Sequence, residues 1–244
     1  MERYGRLSRF PSCEGLRRQI ADHELDVWCE AGWSGSWQPE CVITIRRVGL
    51  EDLGEVVGAI DRSEHVDGEY AVVEGRLVER AITMSDIPPL DPVGDGFHSV
   101  AAKVQFCASV VDEHAGVVLG AFNGERVAGV AVVTPSFEPP LAWFAYLDVN
   151  RADRRHGVAS ALWDAAGHLA RESGALQLYV SATPTASAVG FYLSRGCRLA
   201  DPVHPVLFEH EPDDVHLIRE LGVTSDLGEP DRLARRCRGR CRDR

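Results

Sequence analysis

The chain has 244 residues, 45% of them hydrophobic and 26% charged, a composition typical of a globular protein with a sizeable core. No apolar run approaches the roughly 18 residues that a membrane-spanning helix needs, and no signal peptide is recognised, so we expect a cytoplasmic protein that does not bind a membrane. The net charge of −11 is concentrated between residues 41 and 225, which disfavours nucleic acid as a partner and favours a cationic small molecule.

The seven cysteines do not have the spacing of a metal site or of a disulfide framework. Cys237 and Cys241 lie close together in an arginine-rich segment, but no second close pair completes a set of four ligands. An odd number of cysteines in a reducing compartment favours free thiols. We therefore expect no bound metal.

The N-terminal part of the chain contains few clear elements. Residues 1–40 show no sustained periodicity, which predicts an irregular N-terminal extension. The β-branched run at 41–48 predicts a strand, and the apolar spacing in 49–64 predicts an amphipathic helix. Residues 65–99 give no clear pattern beyond a loop of prolines and glycines at 86–96.

The middle of the chain alternates between predicted strands and helices. Asn123-Gly124, between two apolar runs within residues 109–135, predicts a β-hairpin. The mostly apolar segment 141–149 predicts a buried strand. Helical spacing that ends at a glycine predicts a helix over 154–173, and another strand is predicted at 175–182.

The C-terminal part is predicted to complete the fold. A short helix is expected at 187–196, and residues 204–210 and 213–221 are expected to form a closing hairpin. The order β-α-β-β-β-α-β-α-β-β then predicts a single α/β domain over residues 41–222. The arginine-rich tail, 223–244, is expected to be disordered.

The segment DRRHGVASAL (residues 153–162) stands where a predicted strand gives way to a predicted helix. A helix N-terminus leaves backbone N–H groups unpaired and carries partial positive charge. Gly157 and Ala159 would let a phosphate approach the backbone, and Arg154 and Arg155 would add positive charge beside it. The alternative is a helix whose first turn carries arginines for solubility. The segment is a candidate pyrophosphate-binding loop.

Two motifs resemble those of the GNAT superfamily of N-acetyltransferases. The first, L-x-V followed by [QR]-x-x-G-x-[GA] and a leucine, is similar to the family's acetyl-CoA motif. The second is similar to the family's N-x-x-A-x-x-F-Y-x-x-x-G-F, with threonine for the asparagine and cysteine for the last aromatic. The matching residues are Leu147, Val149, Arg154, Gly157, Ala159 and Leu162 in the first motif and Thr185, Ala188, Phe191, Tyr192, Gly196 and Cys197 in the second.

The resemblance implies a mixed, mostly antiparallel sheet with splayed central parallel strands, 141–149 and 175–182, and flanking helices. It also implies acetyl-CoA as co-substrate in the gap between those strands. The backbone of 147–149 would then hold the pantetheine arm, and the amides of 154–159 would hold the pyrophosphate. The residues expected to bind acetyl-CoA are Leu147, Val149, Arg154, Arg155, His156, Gly157, Val158, Ala159 and Thr185.

The resemblance further implies direct attack of an amine on the thioester in a ternary complex, which needs a base and an acid. Tyr192 stands where many family members have the acid, although it could instead be a packed aromatic side chain. Asp148 is the candidate base, because it is the only acidic residue on 141–149 and 175–182 has none. Trp143, which stands where some family members have a glutamate, cannot act as a base. A water relay, or a residue from 61–70, is the alternative to Asp148.

The expected function is acetyl transfer from acetyl-CoA to the primary amine of a small molecule. Glu64 and His65, in an acidic stretch that also contains Asp67 and Glu69, are the candidate residues for binding an ammonium group. One alternative is acetylation of a protein N-terminus or lysine. Another is a catalytically degenerate acyl-CoA-binding sensor or docking module. The resemblance is also compatible with a homodimer.

Overall fold

The structure is a computed structural model that describes residues 43–222. In chain order its elements are β1 Ile43–Arg47, α1 Leu53–Gly58, β2 Glu64–His65, β3 Glu69–Val73, β4 Arg76–Arg80, β5 Asp86–Ile87, α2 Val100–His114, β6 Val117–Asn123, β7 Arg126–Glu138, β8 Leu141–Val149, a 3₁₀ turn Arg151–Asp153, α3 Val158–Glu172, β9 Gln177–Ala182, α4 Ala186–Ser194, β10 Arg198–Leu199, α5 Pro205–His210 and β11 Val215–Glu220.

Seven of these strands form one sheet in the order β1-β6-β7-β8-β9-β11-β10. Neighbours in the sheet are antiparallel except for β8 and β9, which run parallel because α3 connects them. Two small ribbons, β2 with β5 and β3 with β4, lie in the segment between α1 and α2. The expected fold class, a mixed and mostly antiparallel α/β sheet with one central parallel pair, is confirmed.

The parallel pair separates part of the way along its length. β8 and β9 pair from Leu141 to Trp143, and no pairing continues from Phe144 onward. At the same point the register of β8 with β7 shifts, so that Ala145 has no partner on β7. Such a bulge bends and twists a strand. The bulge therefore turns the second half of β8 away from β9 and opens a gap between them.

Two hydrophobic layers hold the helices on opposite faces of the sheet. On one face, α3 packs with Leu162 and Trp163 against the strands and against α4. On the other face, α1 and α2 pack through residues such as Leu53 and Phe106. Gly129 on β7 lets α3 approach closely, because a Cβ there would lie 2.9 Å from Cγ1 of Val158. The first turn of α3 is thus fixed on the sheet.

Several predicted elements are confirmed at nearly the expected positions. These are the hairpin around Gly124, the strand 141–149, the helix that follows it, and the strand and helix β9 and α4. The strand predicted at 213–221 is also present as β11. The predicted helix 49–64 is shorter, and only residues 53–58 are helical. The expected extension 1–40 and tail 223–244 lie outside the described residues.

One helix was not predicted, and one predicted strand is a helix. Residues 109–114 belong to α2, whose start is capped by Ser99: its side chain accepts a hydrogen bond from the Ala102 N–H. Residues 205–210 form α5 instead of a strand, with Pro205 in the first turn and His204 as cap. Proline is tolerated there because the first helical N–H groups have no partner within the helix. The closing hairpin is replaced by a helix that leads into β11.

Within residues 43–222, no helix is both long enough and apolar enough to cross a membrane. The same part of the chain contains no group of three or more histidine, cysteine or acidic side chains placed to hold a metal ion. Cys107 and Cys197 are buried free thiols.

Candidate functional site

A cavity of about 630 Å³ occupies the gap between β8 and β9. Its walls come from residues 144–148 of β8, residues 180–185 at the end of β9, α4, the loop at 210–214 and the start of α2. Segments 80–87 and 97–98 close it from the side of the small ribbons. The splay of the two parallel strands is therefore the structural origin of the cavity.

The loop before α3 presents backbone N–H groups at the end of β8. Gly157 caps the helix with φ of 85°, and Arg155 also has a positive φ, of 67°. Within the described chain, the backbone N–H groups of residues 155–160 donate to no carbonyl group, and the first such bond is from Ala161 to Gly157. A row of free amides at the start of a 15-residue helix is suited to an anion. Glycine at position 157 is required by the left-handed backbone.

Arg154 has a different role from the one expected. Its guanidinium donates to the carbonyl oxygens of Arg62, at 2.6 Å, and Ser63, at 3.0 Å. It also donates to the Val149 carbonyl and pairs with the Glu64 carboxylate. The side chain therefore holds the loop in place. Arg155 is exposed and is the arginine that could reach an anion from this loop.

His156 is exposed as well, whereas Val158 is buried against the sheet and Ala159 is half-buried. The expected contact of Val158 and Ala159 with acetyl-CoA can therefore come only from their backbone or, for Ala159, from a small methyl group. Of the expected pantetheine-binding residues, Leu147 lines the cavity, and Val149 lies at the end of the same strand.

Tyr192 lies on α4 with its side chain in the cavity wall. It is 6% exposed and packs edge-on against Phe144 and tilted against Trp163. Burial raises the pKa of the phenol far above its ordinary value, and the nearby Cys197, Asp148 and acidic loop raise it further. The group is therefore a protonated phenol at neutral pH, which is the state an acid requires.

Asp148 also faces the cavity, two residues from Tyr146 on the same side of β8. The Tyr146 hydroxyl donates to Oδ2 of Asp148 at 2.5 Å. Burial raises the pKa of Asp148, while this hydrogen bond acts in the opposite direction. One oxygen of the proposed base is thus already bound to a neighbouring side chain.

Thr185, which replaces the family's usual asparagine, is buried at the end of the β9 wall. Its hydroxyl accepts a hydrogen bond from the Ala188 N–H at 3.3 Å and so caps α4. The adjacent Ala186 N–H donates to the Gly68 carbonyl. The substitution therefore keeps a capping group and fixes the helix that carries Tyr192.

Glu64 and His65 do not line the cavity, contrary to the expected role in substrate binding. Glu64 pairs with Arg154 and accepts a short hydrogen bond from Ser187. His65 is exposed and pairs with Asp86 on the neighbouring ribbon. Both side chains form ion pairs or hydrogen bonds with other segments of the surface, so we do not assign them to binding of the acceptor.

Sequence reasoning missed several polar residues that line the cavity beside the loop 210–214. Glu211 follows α5, where burial and the neighbouring Asp214 raise the pKa of its carboxyl to about 7. Burial and Asp213 raise the pKa of Asp214 to about 6. Opposite them, Lys103 is buried in α2, and burial lowers the pKa of its ammonium group. Proline at the first position of α5 was the available signal for that helix.

Known proteins are similar to this chain in sequence and in fold. A sequence model of the acetyltransferase (GNAT) family matches residues 83–197. The crystal structure of nourseothricin acetyltransferase has a TM-score of 0.52 at 21% identity, over 74% of this chain and 99% of that chain. The crystal structure of PaiA N-acetyltransferase from Thermoplasma acidophilum with coenzyme A has a TM-score of 0.47 at 14% identity, over 73% and 98% of the two chains. A search of curated protein sequences finds no significant match.

The matched segment contains the splayed strands, the loop with free amides and α4. The likeness to nourseothricin acetyltransferase shows that the surrounding strands and helices have the same fold. Residues 83–197 are thus similar in sequence to the GNAT family of acetyltransferases.

Proposed function

We propose that this protein transfers the acetyl group of acetyl-CoA to the primary amine of a small molecule. The observation that carries the proposal is the row of free amides at 155–160, which follows β8, the strand whose residues 144–148 line the cavity. With its pyrophosphate at the loop and its pantetheine arm between the strands, acetyl-CoA would have its thioester beside Tyr192. The residues present therefore fit acetyl-CoA.

When bound, acetyl-CoA supplies the acetyl group as a thioester. The protein contributes a fixed loop for the pyrophosphate, a strand edge beyond Phe144 that lacks a partner on β9, and a protonated phenol at Tyr192. Holding two reactants in one cavity replaces an encounter in solution by a reaction between neighbours. These are the requirements for direct transfer.

The walls of the cavity favour a small acceptor over a protein. Residues 80–87 and 97–98 cover one side, α2 covers another and the loop 210–214 a third. The acidic side chains among these walls suit a positively charged amine. A polypeptide acceptor would need an open groove that accommodates chain on both sides of the reacting residue.

Calorimetric titration with acetyl-CoA tests the site. Gly157→Glu places a bulky anionic side chain on the loop, so we expect binding to be lost. Gly174→Glu is the matched control: Gly174 has φ of 83°, ends the same helix and has nothing within 4 Å of an added Cβ. Both variants impose the same backbone strain, and only the first should lose binding. Equal loss in both would contradict the site.

Turnover separates an enzyme from a sensor. Release of free thiol from acetyl-CoA, with the acetylated amine identified by mass spectrometry, is expected when small amines are supplied. Binding of acetyl-CoA without transfer to any amine would favour the acyl-CoA sensor instead. Transfer to peptides but not to small amines would favour the protein acetyltransferase.

A further inference from the structure

Glu211 is the last residue of the turn that ends α5, and its side chain lies in the acceptor wall of the cavity. We propose that Glu211 is the group that takes the proton from the acceptor ammonium. This inference rests on the proposed function and names a residue that neither sequence motif contains. Glu211 would act on the acceptor amine, whereas the two motifs resemble those that bind acetyl-CoA.

The main chain of Glu211 is fixed from two sides. Its N–H donates to the carbonyl of Leu207 at 3.1 Å, and its own carbonyl accepts from Nε2 of His216 at 3.0 Å. The other ring nitrogen of His216 accepts from the Tyr179 hydroxyl at 2.9 Å. Because His216 is buried and burial lowers its pKa, it remains neutral and keeps this arrangement at neutral pH. The carboxylate is thus presented from a rigid turn.

The surroundings of Glu211 can hold either protonation state. Lys103 and Ser181 lower the pKa of the carboxyl group, while Asp214 raises it through its negative charge. The half-buried position adds the cost of desolvating a charge. The charged and titratable groups that act on Glu211 from the neighbouring elements are Lys103 of α2, Tyr179 of β9, Tyr192 of α4 and Asp214 of the following loop.

The other carboxylates of the cavity are less suited to receive a proton. Asp148 already accepts the Tyr146 hydroxyl at 2.5 Å. Glu69 is buried and accepts hydrogen bonds from Thr83, Met84 and Arg80. Asp213 is exposed. Of the two half-buried lining carboxylates that remain, Glu211 and Asp214, we choose Glu211 because its N–H and its carbonyl are both held by hydrogen bonds to Leu207 and His216.

The reaction balances with Glu211 and Tyr192 in these roles. The acceptor enters as an ammonium ion and gives one proton to the Glu211 carboxylate, which later releases it to solvent. The neutral nitrogen then forms the C–N bond as the C–S bond breaks. Tyr192 gives its proton to the departing sulfur and recovers one from the nitrogen. The products are an amide, a free thiol and one proton.

Two amines of similar shape test this role. Ethylamine is protonated at neutral pH, whereas 2,2,2-trifluoroethylamine is largely neutral and needs no base before it attacks. We expect Glu211→Gln to slow acetylation of ethylamine by about 100-fold at neutral pH, with a loss of less than about threefold for trifluoroethylamine. Glu209→Gln makes the same chemical change on the exposed face of α5 and should affect neither amine.

The pH dependence of kcat gives a second readout in a protein that retains Glu211. With ethylamine, kcat should fall as pH decreases through about 7, where Glu211 becomes protonated. Asp214→Asn removes a negative charge that raises the pKa of Glu211, so the fall should move to lower pH. Circular dichroism establishes that both variants are folded.

The outcomes distinguish failure of the role of Glu211 from failure of the proposed function. Equal losses with the two amines, or a pH profile that does not move in Asp214→Asn, would overturn the role of Glu211 while leaving the proposed function intact. If the folded wild type binds acetyl-CoA and acetylates neither amine at high concentration, transfer to small amines itself is overturned, and this inference with it.

Discussion

Arg154 and Glu64 form an ion pair, with Nη1 and Oε2 3.3 Å apart, between the loop before α3 and the segment that leads to β3. The same guanidinium binds three backbone carbonyls, at Arg62, Ser63 and Val149. Four acceptors in different directions require a planar group with several donors, which lysine cannot supply. The arginine of the motif is therefore a structural anchor for the free amides beside it.

This arrangement predicts that Arg154→Lys weakens acetyl-CoA binding although the charge is kept. Carbonyl groups that lose their donor become unsatisfied, and the loop loses its fixed position. We expect the dissociation constant to rise about tenfold, which corresponds to about 1.4 kcal/mol. Arg76→Lys is the control, because the Arg76 side chain is exposed on β4 and does not line the cavity. Titration calorimetry that finds Arg154→Lys unchanged, or both variants equally weakened, would contradict the anchoring role of Arg154.

The close contact of α3 with β7 predicts a cost for any side chain at Gly129. In Gly129→Ala the new Cβ would lie 2.9 Å from Cγ1 of Val158 and 3.1 Å from the Asp148 carbonyl oxygen. Overpacking of this kind lowers the free energy of unfolding by about 1–3 kcal/mol. Because Val158 opens α3, acetyl-CoA affinity should fall as well. Urea unfolding and calorimetry measure the two effects.

A matched variant separates this contact from the general effect of replacing glycine. Gly54 is exposed in α1, and an added Cβ there meets nothing within 4 Å. Gly54→Ala should stabilise the protein by roughly 0.5–1 kcal/mol, because alanine is the better helix former. Similar destabilisation in both variants would show that the space at Gly129 is not the cause.

The strand, the turn and the helix around Gly157 could be predicted from the sequence because their signals are local. Leu147 to Ala159 form one continuous stretch, and the strand, the turn at Gly157 and the helix each depend on neighbouring residues. The partner of Arg154 could not be predicted, since Glu64 is ninety residues earlier in the chain. Contacts of that range depend on how the ribbons fold over the loop.

Lys103 and Glu211, on the other walls of the cavity, were missed for a related reason. Lys103 lies on α2, a helix that was not predicted from the sequence. Glu211 follows α5, which was interpreted as a strand, so its direction could not be inferred. Loops that shape a pocket take their path from tertiary packing rather than from periodicity.

Because the Thr185 hydroxyl caps α4, we expect two substitutions at this position to differ in their effect on stability. Thr185→Ala removes the oxygen that caps α4, and we expect a loss of about 1 kcal/mol of stability. Thr185→Asn restores the residue usual in the family motif and another good capping group, so the loss should be no more than a few tenths of a kcal/mol. Denaturant unfolding of the three proteins is the measurement. Equal stability of the alanine variant and the wild type would mean that the cap contributes nothing.

Tyr192→Phe should remove the acid without removing the acetyl-CoA site. We expect kcat to fall by about 100-fold or more, with the dissociation constant of acetyl-CoA nearly unchanged, because the loop amides are untouched. The ring contacts with Phe144 and Trp163 remain in the variant, so thermal unfolding should change little.

The pH profile gives an independent check on Tyr192. An acid must be protonated to act, and burial raises the pKa of this phenol above the ordinary value of about 10. The wild type should therefore show no alkaline loss of kcat from Tyr192 at any pH below about 10. A fall in kcat near pH 8 that disappears in Tyr192→Phe would show a phenol much more acidic than its burial allows. An unchanged kcat in Tyr192→Phe would assign the proton on the leaving sulfur to water.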